Sequence, residues 1–566
     1  MSRSTRHVWD RRPRAAGSRP RVIVVGAGVA GMSAACYGQM SGLETRIFEM
    51  HVLPGGCCTA WSRGGYLLDY CIDWLNGTAP GNEANQVWRE LGALDGKTVT
   101  TFDMFNRVVA PDGRQVTFHT DPDRLQAELE ACSPADADAI RAYCADYRRF
   151  TKVELHPFLT PPPLMTLREK LAMARKVVPL LRLFARTAGR QMADFADGLR
   201  DEFLGVAFRN MFFQDPRNFA ILPYHYTMAA AHNGNVGVPQ GGSLGLARSV
   251  EERYLGLGGR IDYRAKVTRI LVEEGRAVGV ELRNGERHYA DHVIAACDTP
   301  STVATLLEGR YTNPRLHELL TEVLPDTEQL YPSVVSVFVG YRGDVPADEP
   351  HSTTYLLEDH DAARLPGALQ KSMVVHLRSR FMSGLAPEGS SLIHCNYFAD
   401  YDLWKSLRTK DRRAYWALKK DLEAFVREFL ERRFPGIGDR IELVQIATPA
   451  TTERYTGNHR GAILAWKSPR ADDLLDALVA KDRLALPGLA GFHLAGHWVG
   501  GGSLIKAASS GRFATQFACR ELGVPFRAWE STGSAPWHPG KLGELPQLDH
   551  AERRAATRPT ARTAGS

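Results

Sequence analysis

The sequence predicts an α/β fold in which a parallel sheet is covered by helices and interrupted by a large insertion. Three segments predict the sheet, because each passes from an apolar strand through a glycine-rich turn into a helix. They begin at Val22, Val238 and Phe492. The wide spacing of these segments along 566 residues predicts the insertion. A chain of this length forms more than one hydrophobic core, so two or more domains are expected.

The first segment carries a dinucleotide-binding fingerprint. The strand Val22–Val25 is followed by the turn Gly26-Ala27-Gly28-Val29-Ala30-Gly31. Gly26 permits the tight turn, Gly28 lets the backbone approach a pyrophosphate, and Gly31 lets the helix pack closely on the strand. The phosphates would then lie at the helix N-terminus, whose backbone N–H groups have no partner within the helix. The alternative is a glycine turn that binds nothing.

An acidic residue stands where the ribose of the dinucleotide is expected. The second strand, Glu44–Phe48, is followed by Glu49, and a carboxylate roughly 20 residues past the glycines accepts hydrogen bonds from ribose hydroxyls. This favours an unphosphorylated ribose. Because no second fingerprint of this kind follows, a separate domain for tightly bound NAD(P)H is not predicted.

The middle segment predicts a helix and a small sheet that return to the dinucleotide fold. Val238 to Ser243 leads into a helix that extends through Glu252. Beyond it, apolar residues alternate on either side of Glu274-Gly275, which predicts a hairpin, and Asn284-Gly285 predicts a second turn. The strand His292 to Ala296 is expected to complete this small sheet.

The third segment, Phe492 to Ser503, is another strand and glycine turn, and it leads into a helix that contains Ala507, Ala508 and Gly511. Free amides at the N-terminus of this helix would stabilise negative charge on a bound group. The alternative is a glycine loop that only caps the helix.

Together with Pro54-Gly55-Gly56-Cys57-Cys58, these segments resemble the flavoprotein superfamily of phytoene desaturases, carotenoid isomerases, retinol saturases and their bacterial relatives. The resemblance runs nearly end to end. It implies a p-hydroxybenzoate-hydroxylase-like, Rossmann-like FAD-binding domain with an inserted α+β substrate domain. It implies FAD contacts at Gly26, Gly28, Ala30, Gly31, Glu49, Met50, Gly55, Gly56, Cys57, Val267, Gly496, His497, Ser503 and Leu504. Two positions depart from common patterns: Cys57 replaces an Arg of amine-oxidase-like relatives, and His497 replaces an acidic residue.

The resemblance also implies hydride exchange between the flavin and an extended, apolar, conjugated polyene. Tyr455 and Trp498 would lie in the substrate pocket. His497 and Glu453 are candidates for proton transfer, with purely structural roles as the alternative for each. Desaturation, saturation, isomerisation and reductive cyclisation of polyene tetramate macrolactam precursors all remain open. Transient NAD(P)H, oxygen and a quinone are alternative electron partners.

Two other classes of function share this fold. An amine oxidase would oxidise a C–N bond beside the flavin, and a non-enzymatic lipid-chain binder would bind no FAD. The retained glycines and Glu49 argue against the second class.

The domain boundaries follow from these segments and from composition. The FAD domain is predicted at 21–105, 230–300 and 470–530, and the substrate domain at 106–229 and 301–469. Residues 1–20 and 533–566 are rich in Arg, Pro, Ser and Thr, which predicts poorly ordered tails. Pro161-Pro162-Pro163 is a plausible boundary before a helical region.

That helical region is basic and amphipathic. Apolar residues recur at helical spacing at Leu164, Leu167, Leu171, Ala174, Val178 and Leu181, and Arg168, Arg175, Arg182 and Arg186 form a separate stripe. One interpretation is an ordinary helix of a substrate-binding cap. The other is a helix that docks on an anionic membrane surface.

Composition limits the remaining classes. Hydrophobic residues make up 44% of the chain and charged residues 24%, as in ordinary globular proteins, and a net charge of +6 on this length gives no case for nucleic-acid binding. Nine cysteines without metal-ligand spacing predict a reducing, cytoplasmic location and no metal site. No transmembrane helix is predicted, contact with the inner face of the membrane is left open, and the sequence leaves the oligomeric state undetermined.

Overall fold

The computed structural model describes residues 8–11, 17–153, 159–187, 190–212, 221–318, 320–321, 330–345, 349–466, 484–533, 535–543 and 545. The predicted FAD-domain residues 470–483 and most of the two predicted tails lie outside these ranges. None of the helices that the structure describes has the length and apolar character needed to cross a bilayer.

A five-stranded parallel sheet forms the dinucleotide-binding part of the fold. Its strands lie in the spatial order Arg260–Asp262, Glu44–Phe48, Arg21–Val25, His292–Ala295 and Phe492–Leu494. Because the strands are parallel, their carboxyl ends meet at one edge of the sheet. The helix Val29–Met40 packs against the helices Gly242–Gly256 and Leu504–Glu521. All twelve of its residues are buried.

One strand lies in a different sheet from the one predicted. The small antiparallel sheet consists of Val267–Glu273, Arg276–Leu282 and Arg287–Tyr289. The strand His292–Ala295 does not complete it, but lies in the parallel sheet between Arg21–Val25 and Phe492–Leu494. All four of its residues are buried, as is usual for a central parallel strand with both faces covered.

A seven-stranded sheet is the main feature of the second part of the fold. Its order is Ile441–Ala447, Ser333–Arg342, Ser390–Ala399, Ser372–His376, Ser352–Leu356, Met104–Val109 and Gln115–His119. The helices Tyr401–Lys410 and Arg412–Arg433 cover one face and bury an apolar core against it. The strand Ile441–Ala447 forms one edge of this sheet and faces the cavity described below.

The remaining elements are short. The other strands are Ala60–Arg63, Tyr66–Asp69, Leu75–Asn76, Val99–Thr100 and Val236–Pro239. The other α-helices are Glu83–Glu90, Pro122–Cys132, Ala137–Phe150, Leu167–Val177, Leu181–Thr187, Met192–Asp197, Glu202–Asn210, Ile221–His232, Thr299–Ser301, Pro314–Glu318, Asp359–Ala362, Arg378–Phe381, Pro449–Thr456 and His497–Gly500. The predicted basic helix is therefore two helices, which a 3-10 turn at Val178–Leu180 joins.

Parts of the two predicted tails that the structure describes pack against the rest of the protein, contrary to the expectation of poor order there. Trp9 is buried, its backbone N–H donates to Nδ1 of His288, and the Arg21 guanidinium lies over its ring. Near the other end, Trp537 and Leu542 belong to a buried apolar cluster. The large apolar side chains in these polar, proline-rich segments indicate order, although the overall composition of the segments does not.

A buried histidine should make the helical part of the molecule sensitive to acid. His225 lies against the rings of Tyr143 and Phe150, with ring centroids 4.5 and 5.3 Å away, and burial lowers its pKa to about 3. In the unfolded chain its pKa is about 6.5, so below that pH the unfolded state binds more protons and stability falls. We expect this one residue to lower the free energy of unfolding by roughly 2–3 kcal/mol between pH 7.5 and pH 4.5.

The comparison that checks this uses His225→Phe against His360→Phe, whose side chain is largely exposed. Urea unfolding at both pH values should show a smaller acid loss for His225→Phe than for wild type. His360→Phe should behave as wild type. Equal acid losses in wild type and His225→Phe would contradict the assignment.

Candidate functional site

A cavity of about 1500 Å³ opens at the carboxyl edge of the parallel sheet. One end is walled by the glycine turns that follow the strands, and the other by the strand Ile441–Ala447 and the first turns of the helix Arg412–Arg433. Ligand pockets usually measure about 300–1,000 Å³. The cavity is therefore large enough for a dinucleotide and a second molecule.

Two glycine turns form a cradle at the sheet end of the cavity. The N–H of Gly55 donates to the carbonyl of Ala27 at 2.8 Å, and Gly28 and Gly55 form an isolated parallel bridge. The helix Val29–Met40 begins here without a side-chain cap, and a Cβ at Gly28 would meet no atom within 4 Å. Free amides beside open space suit a phosphate group.

Glu49 lies next to this cradle and is buried. Its carboxylate accepts hydrogen bonds of 2.7 Å from the backbone N–H groups of Ala27 and His51. Burial raises the pKa of Glu49, while these hydrogen bonds act in the opposite direction. Each carboxylate oxygen can accept a further hydrogen bond, so the group can still bind ribose hydroxyls that enter from the cavity.

The third glycine turn closes the cradle from the other side. Gly496 donates its N–H to Ser510 Oγ at 2.8 Å, and Ser503 caps the helix Leu504–Glu521 by accepting from the Lys506 N–H at 3.2 Å. His497 lies between them, and burial lowers its pKa to about 4. The imidazole is therefore neutral at pH 7 and can form hydrogen bonds.

The structure brings most of the predicted contact residues together on this cavity wall. They are Gly26, Gly28, Ala30, Glu49, Met50, Gly55, Gly56, Cys57, Val267, Tyr455, Gly496, His497, Trp498, Ser503 and Leu504. Gly31 does not line the cavity. A Cβ there would lie 2.0 Å from the carbonyl oxygen of Gly26, so Gly31 permits close packing of helix on strand.

Glu453 lies outside the wall of this cavity. Its carboxylate accepts a hydrogen bond from the Tyr401 hydroxyl at 2.8 Å and forms an ion pair with Lys405. These contacts favour a structural role for Glu453. Tyr455 packs edge-on against His51, with ring centroids 5.2 Å apart. Tyr455 therefore lies on the Glu49 side of the cavity.

Three thiols, those of Cys57, Cys58 and Cys71, are grouped beside the cradle. Cys57 and Cys71 line the cavity, and Asn458 Nδ2 donates to Cys57 Sγ at 3.2 Å. Burial is the main cause that raises the pKa of the Cys57 thiol, and the neighbouring Cys71 together with burial raises that of Cys58. Both thiols therefore remain protonated at neutral pH. Within the described residues, no group of three or more His, Cys, Asp or Glu side chains is placed to hold a metal ion.

Sequence reasoning missed several residues of the wall. Cys297 and Asp298 directly follow the strand His292–Ala295 and its neighbour Ala296, and their position at a strand end was the available signal. Tyr415 and Trp416 enter from the helix Arg412–Arg433, far away in sequence, and no local pattern marks them. Trp61 lies in the hairpin Ala60–Asp69, and Tyr70 directly follows it.

These features together fit FAD. The uncapped helix N-terminus and the open space at Gly28 suit the pyrophosphate, the Glu49 carboxylate suits the ribose, and the amides near Gly496 suit a flavin that becomes negative on reduction. The remaining volume reaches the edge strand Ile441–Ala447 of the seven-stranded sheet.

Comparison with known proteins agrees with this assignment. The prolycopene isomerase of Arabidopsis thaliana is 25% identical over 454 residues, which cover 78% of this chain and 73% of the relative. The zeta-carotene-forming phytoene desaturase of Myxococcus xanthus is 27% identical over 425 residues, 71% of this chain and 77% of the relative. Cyclohexylamine oxidase from Brevibacterium oxydans shares the fold, with a TM-score of 0.54 at 14% identity over 89% of this chain and 100% of that one.

The family profile described as "Flavin containing amine oxidoreductase" matches residues 29–516, which begin within the first glycine turn and include the turns at Gly55-Gly56 and Gly496. A match of this extent covers four of the five strands of the parallel sheet, all but the start of the first glycine turn, and the whole seven-stranded sheet. The chain therefore belongs to the flavin containing amine oxidoreductase family and is an FAD-dependent oxidoreductase.

Proposed function

We propose that this oxidoreductase exchanges a hydride with a carbon of an extended, apolar, conjugated polyene. The observation that carries the proposal is the part of the cavity beyond the cradle. Its wall includes the side chains Trp61, Tyr70, Tyr415, Trp416, Leu443, Ile446, Ile463, Leu464 and Trp498. A long apolar molecule gains its binding free energy from contact with such a surface.

The names of the relatives support the same substrate class. They describe an isomerase and desaturases of carotenoid-type polyenes, and a 13,14-reductase of all-trans-retinol. All of these names describe the conversion of a polyene. Desaturation would pass electrons to the flavin, whereas saturation, isomerisation or reductive cyclisation would begin from the reduced cofactor.

The chain's own residues would bind, orient and desolvate the substrate. When bound, FAD supplies a two-electron acceptor or donor. The aromatic side chains around Trp61 and Trp498 would align the polyene with it and exclude water. His497 would remain neutral, and its buried Nε2, which has no hydrogen-bond partner among the described residues, could form a hydrogen bond to a bound group.

Charge argues against oxidation of an amine. The cavity wall includes eight Lys or Arg residues and three Asp or Glu residues. A protonated amine entering this cavity would meet a net positive environment. A neutral polyene would not be repelled by this positive charge.

A polyene with an acidic end group is the second candidate substrate, and the excess of positive charge on the cavity wall favours it. Arg413, Lys419 and Lys420 share the helix Arg412–Arg433 with the cavity residues Tyr415 and Trp416. Lys419 Nζ also lies 4.6 Å from the Trp416 ring centroid and donates to the carbonyl of Ile446 at 2.8 Å. An anionic head such as a tetramate would be attracted to this side of the cavity, while its polyene chain contacts the apolar wall.

Anaerobic absorption spectra of the FAD-loaded protein test the proposal. Phytoene should bleach the flavin bands if the enzyme desaturates, and lycopene should restore them after reduction by dithionite or NADPH if it saturates. Prolycopene added to reduced enzyme would report isomerisation by product analysis. Putrescine and cyclohexylamine should have no effect. Bleaching by the amines, with release of ammonia and no response to any polyene, would overturn the proposal.

A further inference from the structure

The paired helices Leu167–Val177 and Leu181–Thr187 carry an exposed apolar face. Leu167, Leu171 and Leu181 of these helices and Val178 of the turn between them are the most exposed large hydrophobic side chains among the described residues, at 75%, 53%, 50% and 61%. Ala174 is also exposed. At 100° per residue these five positions fall within one stripe about 80° wide.

This apolar stripe does not face the protein. The helix Leu167–Val177 contains no buried residue. In the helix Leu181–Thr187 the buried residues are Leu183 and Thr187, which lie on the side opposite to the stripe. The second helix is therefore anchored by one face while the stripe points outward.

The first helix forms through local interactions. Thr166 and Glu169 make a capping box, in which the Thr166 N–H donates to Glu169 Oε2 at 2.7 Å and the Glu169 N–H donates to Thr166 Oγ1 at 3.2 Å. Amphipathic helices usually owe their stability to burial of the apolar face. Here the capping box fixes the start of the helix, and the apolar face remains exposed and able to contact another molecule or surface.

The charges beside the stripe indicate what it contacts. Residues 167–187 include six cationic side chains, Arg168, Lys170, Arg175, Lys176, Arg182 and Arg186, and one acidic residue, Glu169. Arg186 pairs with Asp146, whereas no ion pair of the other five is found among the described residues. Two copies of this face would repel each other. A surface that is apolar and negatively charged would satisfy both features.

We infer that the helices Leu167–Val177 and Leu181–Thr187 dock on the surface of an anionic lipid bilayer. The leucine stripe enters the boundary between head groups and acyl chains, and the flanking Arg and Lys side chains bind lipid phosphates. This inference does not depend on the proposed substrate, because a lipid surface would recognise the helices whatever the enzyme converts.

Sedimentation of the FAD-loaded full chain with large unilamellar vesicles tests the inference. We expect binding to vesicles of 70% phosphatidylcholine and 30% phosphatidylglycerol, at least tenfold stronger than to pure phosphatidylcholine, and reduced by 0.5 M NaCl. Leu167→Ser/Leu171→Ser and, separately, Arg168→Glu/Arg175→Glu should each weaken binding at least tenfold. All four positions are exposed, so the melting temperature should not change.

The matched control is Leu255→Ser/Leu369→Ser, which removes two leucines of similar exposure elsewhere on the surface. It should bind vesicles as wild type does. Equal binding by wild type and both test variants would overturn the inference. So would a wild-type dimer, seen by sedimentation velocity without vesicle binding, that Leu167→Ser/Leu171→Ser dissociates, because the stripe would then contact a second copy.

Discussion

Gly28→Ala is expected to yield a folded protein that does not retain FAD. The backbone at Gly28 has φ −66° and ψ 169°, which alanine adopts without strain, and its Cβ would meet no protein atom within 4 Å. That open space is where the pyrophosphate would approach the amides of the helix Val29–Met40. A methyl group there should weaken FAD binding at least about 100-fold, which corresponds to roughly 2.7 kcal/mol.

Two other glycines make this result specific. Gly256→Ala also places its Cβ in open space, at the end of the helix Gly242–Gly256 and away from the cavity, so this variant should remain yellow. Gly31→Ala would bring a Cβ within 2.0 Å of the Gly26 carbonyl oxygen, so it should lower stability as well as FAD content. FAD titration by fluorescence and apoprotein melting temperature separate the two effects. Normal FAD affinity in Gly28→Ala would contradict the placement of the pyrophosphate.

Local sequence rules could single out residues that share one cavity wall, because the features that mark them are local. The turn at Gly26–Gly31 and the acidic residue Glu49 belong to one strand, turn and helix unit, and each glycine has a steric reason that can be read without the rest of the chain. The third glycine turn was found by the same reasoning. The structure places nearly all of these residues on one cavity wall.

The substrate side could not be predicted in the same way. Tyr415 and Trp416 reach the cavity because the helix Arg412–Arg433 packs on a seven-stranded sheet whose strands come from distant segments. Sequence periodicity reports burial, not the partner that causes it. The strand His292–Ala295 shows the same limit, since its apolar run suits either sheet. For residues 167–187 the helical spacing of the apolar residues predicted an amphipathic helical region, but only the structure shows that the apolar stripe faces outward.

A buried ion pair connects the helices behind the cradle. Arg512 Nε lies 3.1 Å from Glu90 Oε2, and both side chains are nearly inaccessible, at 7% and 3% exposure. Tyr37 donates its hydroxyl to the same carboxylate oxygen at 2.7 Å, and the guanidinium lies 5.1 Å from the Tyr37 ring centroid. These residues come from three helices, Val29–Met40, Glu83–Glu90 and Leu504–Glu521.

Removing one partner of this pair should destabilise the fold strongly. In Arg512→Met the Glu90 carboxylate would remain buried without its cation, which costs about 3–5 kcal/mol. The double variant Glu90→Met/Arg512→Met removes both charges and should recover most of this loss, because an apolar pair of similar volume avoids the desolvation penalty. Urea unfolding at saturating FAD measures the free energy of unfolding of each variant.

The exposed pair Arg89–Glu530 provides the matched control, because it joins the same helix Glu83–Glu90 to a residue near the C-terminus but has side-chain exposures of 51% and 44%. Arg89→Met should cost at most about 1 kcal/mol. If Arg512→Met cost no more than Arg89→Met, the buried pair would not hold these helices together. If the double variant were as unstable as Arg512→Met, the lost free energy would come from packing of the Arg512 side chain on Tyr37 and Phe526, not from the stranded charge.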